Sequence, residues 1–311
     1  MREAGNGAEV VAIILNYNRA GDTIDCTQSL KRCSYAPLKI VILDNGSTDD
    51  SGDKLRRSLP GVDVRISKEN LGFAGGNNLV LRSVLQGTAE YVLLLNNDTL
   101  VEPDFLTPLV DALARNPKAA AAGGTICCYP EKGRLWYAGG RFIPWRASSF
   151  SDLAGAEYRN LPSLDERNVT FITGCMILMR TEALKRAGLF DERFFMYAED
   201  AELSVRLNSL SYELLYVPES RIYHKGGERD GSPFALYYSV RNRLLFIRVA
   251  ITGWMRPIAA CYLLMTTLIK MCYWRIFRPD LFRAAVMGAQ DYFRNVLYAG
   301  RGLSLRDPVQ K

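Results

Sequence analysis

The chain has 311 residues, of which 48% are hydrophobic and 23% charged, and a formal net charge of +6. That composition excludes disorder, a collagen or a coiled coil as the whole answer, and the length fits one large domain or a domain with an appendage. The charge is uneven: residues 1–240 hold 27 Lys and Arg against 30 acids, whereas residues 241–311 hold 12 against Asp280, Asp291 and Asp307, a local balance of +9.

In chain order, Met1–Val10 lacks the apolar core of a signal peptide, which argues against export by that route. Val10–Tyr17 is a continuous apolar run, as expected of a strand buried on both faces. Asp22–Cys33 reads as a helix, and Lys39–Leu43 as a second strand that stops at the turn Asp44-Asn45-Gly46. Ser47 or Thr48 is expected to cap the next helix, with Asp49 and Asp50 in its first turn. Val62–Ser67 is a third strand, Gly75–Gln86 a helix, Glu90–Leu95 a fourth buried strand and Pro103–Arg115 a helix. This rhythm predicts a parallel, doubly wound α/β sheet. Gly123–Ser163 reads as irregular. Thr170–Met179 follows as a strand, Thr181–Ala187 and Ala198–Leu210 as helices, and Tyr212–Val217 as a strand. From Phe234 the pattern is helical, broken at Gly253, Pro257 and Pro279. The expected division is therefore an α/β unit over 1–233 and a helical appendage over 234–311.

The appendage interleaves basic residues with Trp254, Tyr262, Trp274, Phe277, Phe282 and Phe293. Such a mixture suits a helix lying in an anionic membrane interface better than a nucleic-acid surface, for which its apolar content is too high. No uncharged run reaches the roughly 18 residues of a spanning helix; the longest, Pro257–Ile269, lies between Arg256 and Lys270. The seven cysteines, with no C-x-x-C, read as reduced thiols of a cytosolic protein.

In an open parallel sheet, ligands bind at the carboxyl ends of the strands. Four polar loops fall there: Asn16-Tyr17-Asn18-Arg19; Asp44-Asn45-Gly46-Ser47; Asn70 through Asn78, with glycines at 72, 75 and 76; and Asn96-Asn97-Asp98. The first loop lacks G-x-G-x-x-G, so a dinucleotide is poorly supported. A nucleotide fits better: Asp44 can accept from a ribose or base N–H, and glycines let backbone amides approach closely. Asp98, after a buried strand, can hold Mg²⁺ or Mn²⁺, with Asn96 as a neutral second oxygen. Glu199 and Asp200 sit among bulky apolar residues, a setting that raises carboxylate basicity toward general-base work. His224, the only histidine, lies past a strand and before Gly226-Gly227. Taken singly, each has a structural alternative: turn, helix cap, acidic helix start or satisfied histidine.

Taken in order, LNYNR (15–19), LDNGSTD (43–49), NLGFAGGNN (70–78), LLLNNDT (93–99), TGCMILMR (173–180), the run 188–207 containing Glu199-Asp200, His224 and YYSVRNR (237–243) resemble the family-2 glycosyltransferases of the GT-A fold, in their rhamnosyltransferase-like branch. The resemblance covers about residues 9–245. It implies inverting transfer of a sugar, rhamnose by branch, from a nucleotide-diphosphate sugar to a hydroxyl of a glycan or polyprenyl-diphosphate-linked acceptor, in cell-surface polysaccharide synthesis. Carried over by position, Asn16, Tyr17, Asn18, Arg19, Asp44, Asn70, Gly75, Asn78 and Asn97 would face the donor. Asp98, His224 and Asn96 would hold the metal. Asp200, with Glu199 beside it, would take the acceptor proton. The family's metal motif is often Asp-x-Asp; here Asn96 stands first, one negative charge short. The tail would then dock the enzyme on the cytosolic face of the membrane, where lipid-linked acceptors reside. Two other readings remain open at this point: a nucleotidyltransferase or related nucleotide-dependent enzyme, and an inactive membrane-bound binding module.

Overall fold

The computed structural model describes residues 7–161, 164–226 and 231–305. The first six residues, Ser163, Gly227 and everything beyond residue 305 lie outside the described residues.

The chain opens with β1 (Val10–Asn16), α1 (Ala20–Leu30), β2 (Leu38–Asp44), α2 (Ser51–Ser58), β3 (Asp63–Ile66), α3 (Gly72–Val84) and β4 (Tyr91–Asn96). Apolar runs in β1, β2 and β4 are buried between helices, as the sequence pattern requires. These four strands are parallel, in the order β3-β2-β1-β4. The chain moves outward from β1 to β3 and then jumps to β4, which places a switch point between β1 and β4. The registers pair Asn16 with Asp44 and Leu15 with Asn96, so the polar strand ends finish level.

The remaining elements are β5 (Thr99–Val101), α4 (Leu106–Arg115), β6 (Ala119–Cys128), β7 (Leu135–Tyr137), β8 (Gly140–Ile143), β9 (Ser148–Ser151), β10 (Arg167–Val169), β11 (Met176–Arg180), α5 (Thr181–Ala187), α6 (Glu199–Ser209) and β12 (Glu213–His224). The sheet continues β4-β11-β6-β12-β10, with β11 antiparallel to both neighbours and β12 parallel to β6. The fold is thus a mostly parallel sheet flanked by helices. β8 and β9 form a separate hairpin, so part of the stretch expected to be irregular is ordered.

Three local expectations are corrected. Ser47 and Thr48 do not cap a helix: α2 begins at Ser51, and Asp49 accepts from the Ser51 N–H at 3.0 Å. The strand expected from Thr170 begins only at Met176, because Gly174 turns its N–H to Asp200 and Cys175 turns its carbonyl to Asn96. The strand expected to end at Val217 runs on to His224, because Pro218 falls in a register shift where no ladder donor is needed.

Among the described residues three α-helices follow β12: α7 (Pro233–Ala250), α8 (Met255–Phe277) and α9 (Pro279–Phe293). Pro257 does not break the helix but sits in the first turn of α8, where its missing N–H costs nothing. α7 buries Leu245, Phe246 and Ile247 in the main core, each contributing about 1.5–3 kcal/mol. α9 crosses α7 so closely that a Cβ on Gly288 would stand 2.5 Å from the Tyr237 carbonyl. α8 is different. It is 23 residues long and only 11% of its most apolar window is buried, with Leu264, Ile269, Ile276 and Phe277 all at least 60% exposed. By length and composition alone it is able to cross a membrane. Counting uncharged runs missed it, because Lys270 interrupts the run although a long basic side chain can reach back to water.

Candidate active site

The first two loops are tied to each other before any ligand arrives. Asn16, fully buried, donates to Asp44 Oδ1 at 2.7 Å, and the Ser47 hydroxyl donates to the same oxygen. The Asn18 N–H donates to Ser47 Oγ at 2.8 Å, and the Thr48 N–H to Asn18 Oδ1 at 2.8 Å. Thr23 donates to Asn16 Oδ1 at 2.7 Å and accepts from Asn97 Nδ2 at 3.0 Å. Asn16 and Asn97 are therefore struts that hold Asp44 and the loop after β4. Asn78 is another: both its amide hydrogens go to Phe190 O and Glu192 Oε1, and its oxygen accepts from the Phe190 N–H, so the expected donor contact is corrected to a brace for the 190–195 turn. Asn70 differs. Its Oδ1 accepts from the Gly72 N–H at 2.8 Å, while its buried Nδ2 has no partner among the described residues. Tyr17 is half-buried, Arg19 is exposed with Asp22 at 3.6 Å, and Gly75 lies in the first turn of α3.

Asp98 and His224 meet through backbone pairing. β5 runs antiparallel to the end of β12, with His224 opposite Thr99, and the Lys225 N–H donates to the Asp98 carbonyl at 2.8 Å. His224 Nε2 lies 3.1 Å from Asp98 Oδ1. Burial pushes the Asp98 carboxyl up, but the His224 contact, a backbone N–H and the Arg19 charge together hold the group below its ordinary value. The imidazole stands edge-on to Trp136 at 4.8 Å between ring centres. Gly226 lies against the pair: a Cβ there would stand 2.6 Å from Asp98 Oδ2 and 3.4 Å from His224 Nε2. Two oxygen or nitrogen ligands at right angles on a cation with bonds near 2.1 Å are about 3 Å apart, so the pair fits adjacent ligand positions of an octahedral divalent ion. Among the described residues no group of three His, Cys, Asp or Glu side chains converges. Any further ligands would come from the bound substrate or water, as is usual for Mg²⁺.

The acidic pair opens α6 after a strained turn. Phe195, Tyr197 and Ala198 all have positive φ, at 64°, 67° and 75°, and such residues cost on the order of 1–3 kcal/mol each. Gly72 makes room for this turn: its φ is +72°, and a Cβ there would meet the Phe195 carbonyl at 2.3 Å. The turn is held from α7. Asn242 Nδ2 donates to the carbonyls of Phe194, Met196 and Tyr197 at 2.9, 2.7 and 2.7 Å. The fully buried Arg241 donates to Phe194 O at 2.8 Å and to Tyr298 O at 2.6 Å. Asp200 accepts from the Gly174 and Ala201 N–H groups at 3.0 and 2.8 Å. Burial raises the Asp200 carboxyl although these N–H donors pull it down. Burial, then the Asp200 charge, push Glu199 well above the ordinary range, and its buried Oε2 has no partner among the described residues. The Gly174–Cys175 turn joins the two acid sites, since the Cys175 carbonyl accepts from the Asn96 N–H at 2.9 Å.

The α7 clamp was not anticipated, although YYSVRNR contains it. Asn242→Asp is isosteric but turns an acceptor toward three carbonyls. It is expected to lower stability by about 2–3 kcal/mol in denaturant unfolding and to reduce kcat by about tenfold or more.

A groove of about 750 Å³ opens at the opposite, amino-terminal edge of β1 and β2, beside Glu9 and Lys39. It has none of the rim acids, and Glu9 is already paired with Lys39.

The model of Glycosyl transferase family 2 matches residues 11–188, over half of the chain. The chain belongs to glycosyl transferase family 2. The N-acetylglucosaminyl-diphospho-decaprenol L-rhamnosyltransferase of Mycobacterium tuberculosis is 28% identical over 251 residues, covering 73% of this chain and 80% of that one. The poly-beta-1,6-N-acetyl-D-glucosamine synthase of Staphylococcus epidermidis is 24% identical over 215 residues, 66% of this chain and 47% of that one. Among solved structures, GalNAc-T7 with UDP, GalNAc and Mn²⁺ superposes with a TM-score of 0.61 at 17% identity, covering 76% of this chain and 48% of that one. The mannosyltransferase of Pyrobaculum calidifontis with GDP-Man and Mn²⁺ gives 0.57 at 17%, covering 94% and 88%. The fold is GT-A, and the family's activity class is glycosyl transfer.

Proposed function

We propose that this family-2 member is an inverting, metal-dependent glycosyltransferase that moves a sugar, rhamnose by relation, from a nucleotide-diphosphate sugar to a hydroxyl of a lipid-diphosphate-linked acceptor. The observation that carries the proposal is the Asp98–His224 pair, 3.1 Å apart at the carboxyl edge of the sheet and joined through one turn to a buried Glu199–Asp200 pair. Asp44, held by Asn16 and Ser47, takes the nucleoside. The orphan amide of Asn70 is left to donate to the donor substrate. Asp98 and His224 hold the divalent cation, which when bound offsets the charge of the departing diphosphate. Burial and the Asp200 charge raise Glu199, whereas Asp200 keeps two N–H donors, from Gly174 and Ala201, that favour its charged form and suit it to the role of base. The acceptor oxygen attacks the anomeric carbon, its proton passes to Asp200, and the bond from that carbon to the diphosphate oxygen breaks on the far side. A nucleoside diphosphate leaves.

We also place the functional boundary after α7, since α7 clamps the acidic turn. α8, exposed and apolar with basic residues at both ends, faces the anionic cytosolic leaflet. Its charge matches that surface, and the M. tuberculosis relative acts on a decaprenol-linked sugar by name.

The test is a thermal-shift panel of nucleoside diphosphates and nucleotide sugars with and without Mn²⁺ or Mg²⁺. A matching donor at 100 times its Kd should stabilise by about 2.7 kcal/mol, and only with the metal. No response to any diphosphate overturns the proposal. Turnover of a nucleoside triphosphate with release of inorganic diphosphate would make the protein a nucleotidyltransferase.

A further inference from the structure

We infer that Arg146 and Arg243 form an anion subsite for the diphosphate of the acceptor, an inference that rests on the acceptor class proposed above. Arg146 ends the one-turn helix Pro144–Arg146 between β8 and β9, and Arg243 lies on α7. Arg243 Nη2 donates to the Arg146 carbonyl at 2.8 Å, which draws two like charges together. None of the ion pairs among the described residues involves either one. The Nε of each is buried and has no hydrogen-bond partner among the described residues. Other enclosed guanidinium groups keep acceptors: Arg241 has backbone carbonyls, Arg206 has Glu202 and Arg180 has Leu113. Arg221 also has a buried Nε without a partner, but its Nη atoms keep Tyr158 at 3.0 Å and Glu102 at 3.7 Å, an acid that Arg146 and Arg243 lack. Two buried donors without acceptors, on adjacent cations, mark a missing acceptor of negative charge.

The aromatic surroundings define its shape. The Arg146 guanidinium lies over Phe150, Tyr262 and Trp145 at 4.6, 5.5 and 5.6 Å. Rings on the guanidinium faces fix its plane and leave its N–H edge for a partner. Paired guanidinium forks match phosphate oxygens, which they can bind bidentately. The location selects a diphosphate between a sugar and a lipid. Arg243 follows Asn242, which clamps the turn before Asp200, and Tyr262 belongs to α8, whose far side is exposed and apolar. Base, arginines and apolar helix thus succeed one another in the order of an acceptor's hydroxyl, diphosphate and chain. A bulk phospholipid headgroup offers the same phosphate chemistry, and the experiment separates the two.

The full-length protein, wild type and with Arg146→Gln, Arg243→Gln and the corresponding Lys changes, is assayed with the donor found in the thermal-shift panel. The acceptors are farnesyl-diphosphate-linked N-acetylglucosamine and octyl N-acetylglucosaminide. Either Gln change should raise KM for the diphosphate acceptor about tenfold more than KM for the octyl glycoside, and Lys, which keeps the charge and loses the fork, should recover only part. The Lys forms carry the same contrast where a Gln form does not fold. Equal changes in both KM values, or none, overturn the subsite. If the wild type takes the octyl glycoside as well as the diphosphate acceptor, the acceptor proposal itself has failed and the subsite falls with it. Flotation with phosphatidylglycerol–phosphatidylcholine vesicles is the last arm: binding retained by the variants supports the acceptor assignment, and binding lost without a KM contrast assigns the arginines to bulk lipid and overturns it.

Discussion

Asp200→Asn is expected to lower kcat by about 10²–10⁴ while leaving the donor's KM and thermal stabilisation nearly unchanged. The amide keeps the size of the carboxylate, and its oxygen can still accept from the Gly174 or Ala201 N–H. What it loses is the ability to take a proton. The pH dependence carries the same signature. A base works only when deprotonated, and burial raises the Asp200 carboxyl, so wild-type kcat should climb with pH through a value above the ordinary carboxylate range and level off beyond it. The variant should lack that limb. Turnover equal to wild type would show that Asp200 is not the base, and unchanged turnover together with an unchanged cell phenotype would favour an inactive binding module.

Asp98→Asn should weaken Mn²⁺-dependent donor binding by at least about 100-fold, since even loss of an outer partner of a metal ligand typically costs 10–100-fold. The change also removes the carboxylate from its contact with His224, so titration calorimetry in the presence and absence of metal separates the effects. With metal, the heat of donor binding should collapse; without metal, the variant should resemble the wild type. Equal weakening in both conditions would mean that Asp98 only shapes the loop. With the neutral Asn96 in the same motif, Asp98 is its one carboxylate, which is why so large an effect is expected from it.

Much of this was legible in the sequence, for a physical reason. β1, β2 and β4 are apolar runs that end abruptly in polar loops, and parallel strands in register must bring those loops to one edge. Asp44 and Asp98 stand out for that reason, and the Glu199–Asp200 pair for its bulky apolar neighbours. The division of labour among the asparagines was not legible, because Asn16 and Asn78 look like Asn70 until their partners are known. The resemblance set Asp98 and His224 at one site, but not the means: their contact depends on an antiparallel pairing of β5 with the end of β12, and Pro218 disguised how far β12 extends. Trp136 and Asn242 reach the site from segments with no local signal of chemistry, the first from β7 and the second from a helix read as part of the appendage.

The contacts of Arg241 change how the protein can be handled. Its guanidinium is shared between the turn that precedes the acids and the Tyr298 carbonyl near the end of the described chain, and Asp291 joins the same knot through Tyr237 at 2.5 Å and through Arg301. Trimming the greasy segment beyond α7 to obtain a better-behaved sample would leave Arg241 in the interior without its Tyr298 partner and slacken the turn before the acids. Detergent or nanodisc preparations of the uncut polypeptide are therefore the appropriate material for kinetics, and a shortened one would report an artefact of its own making.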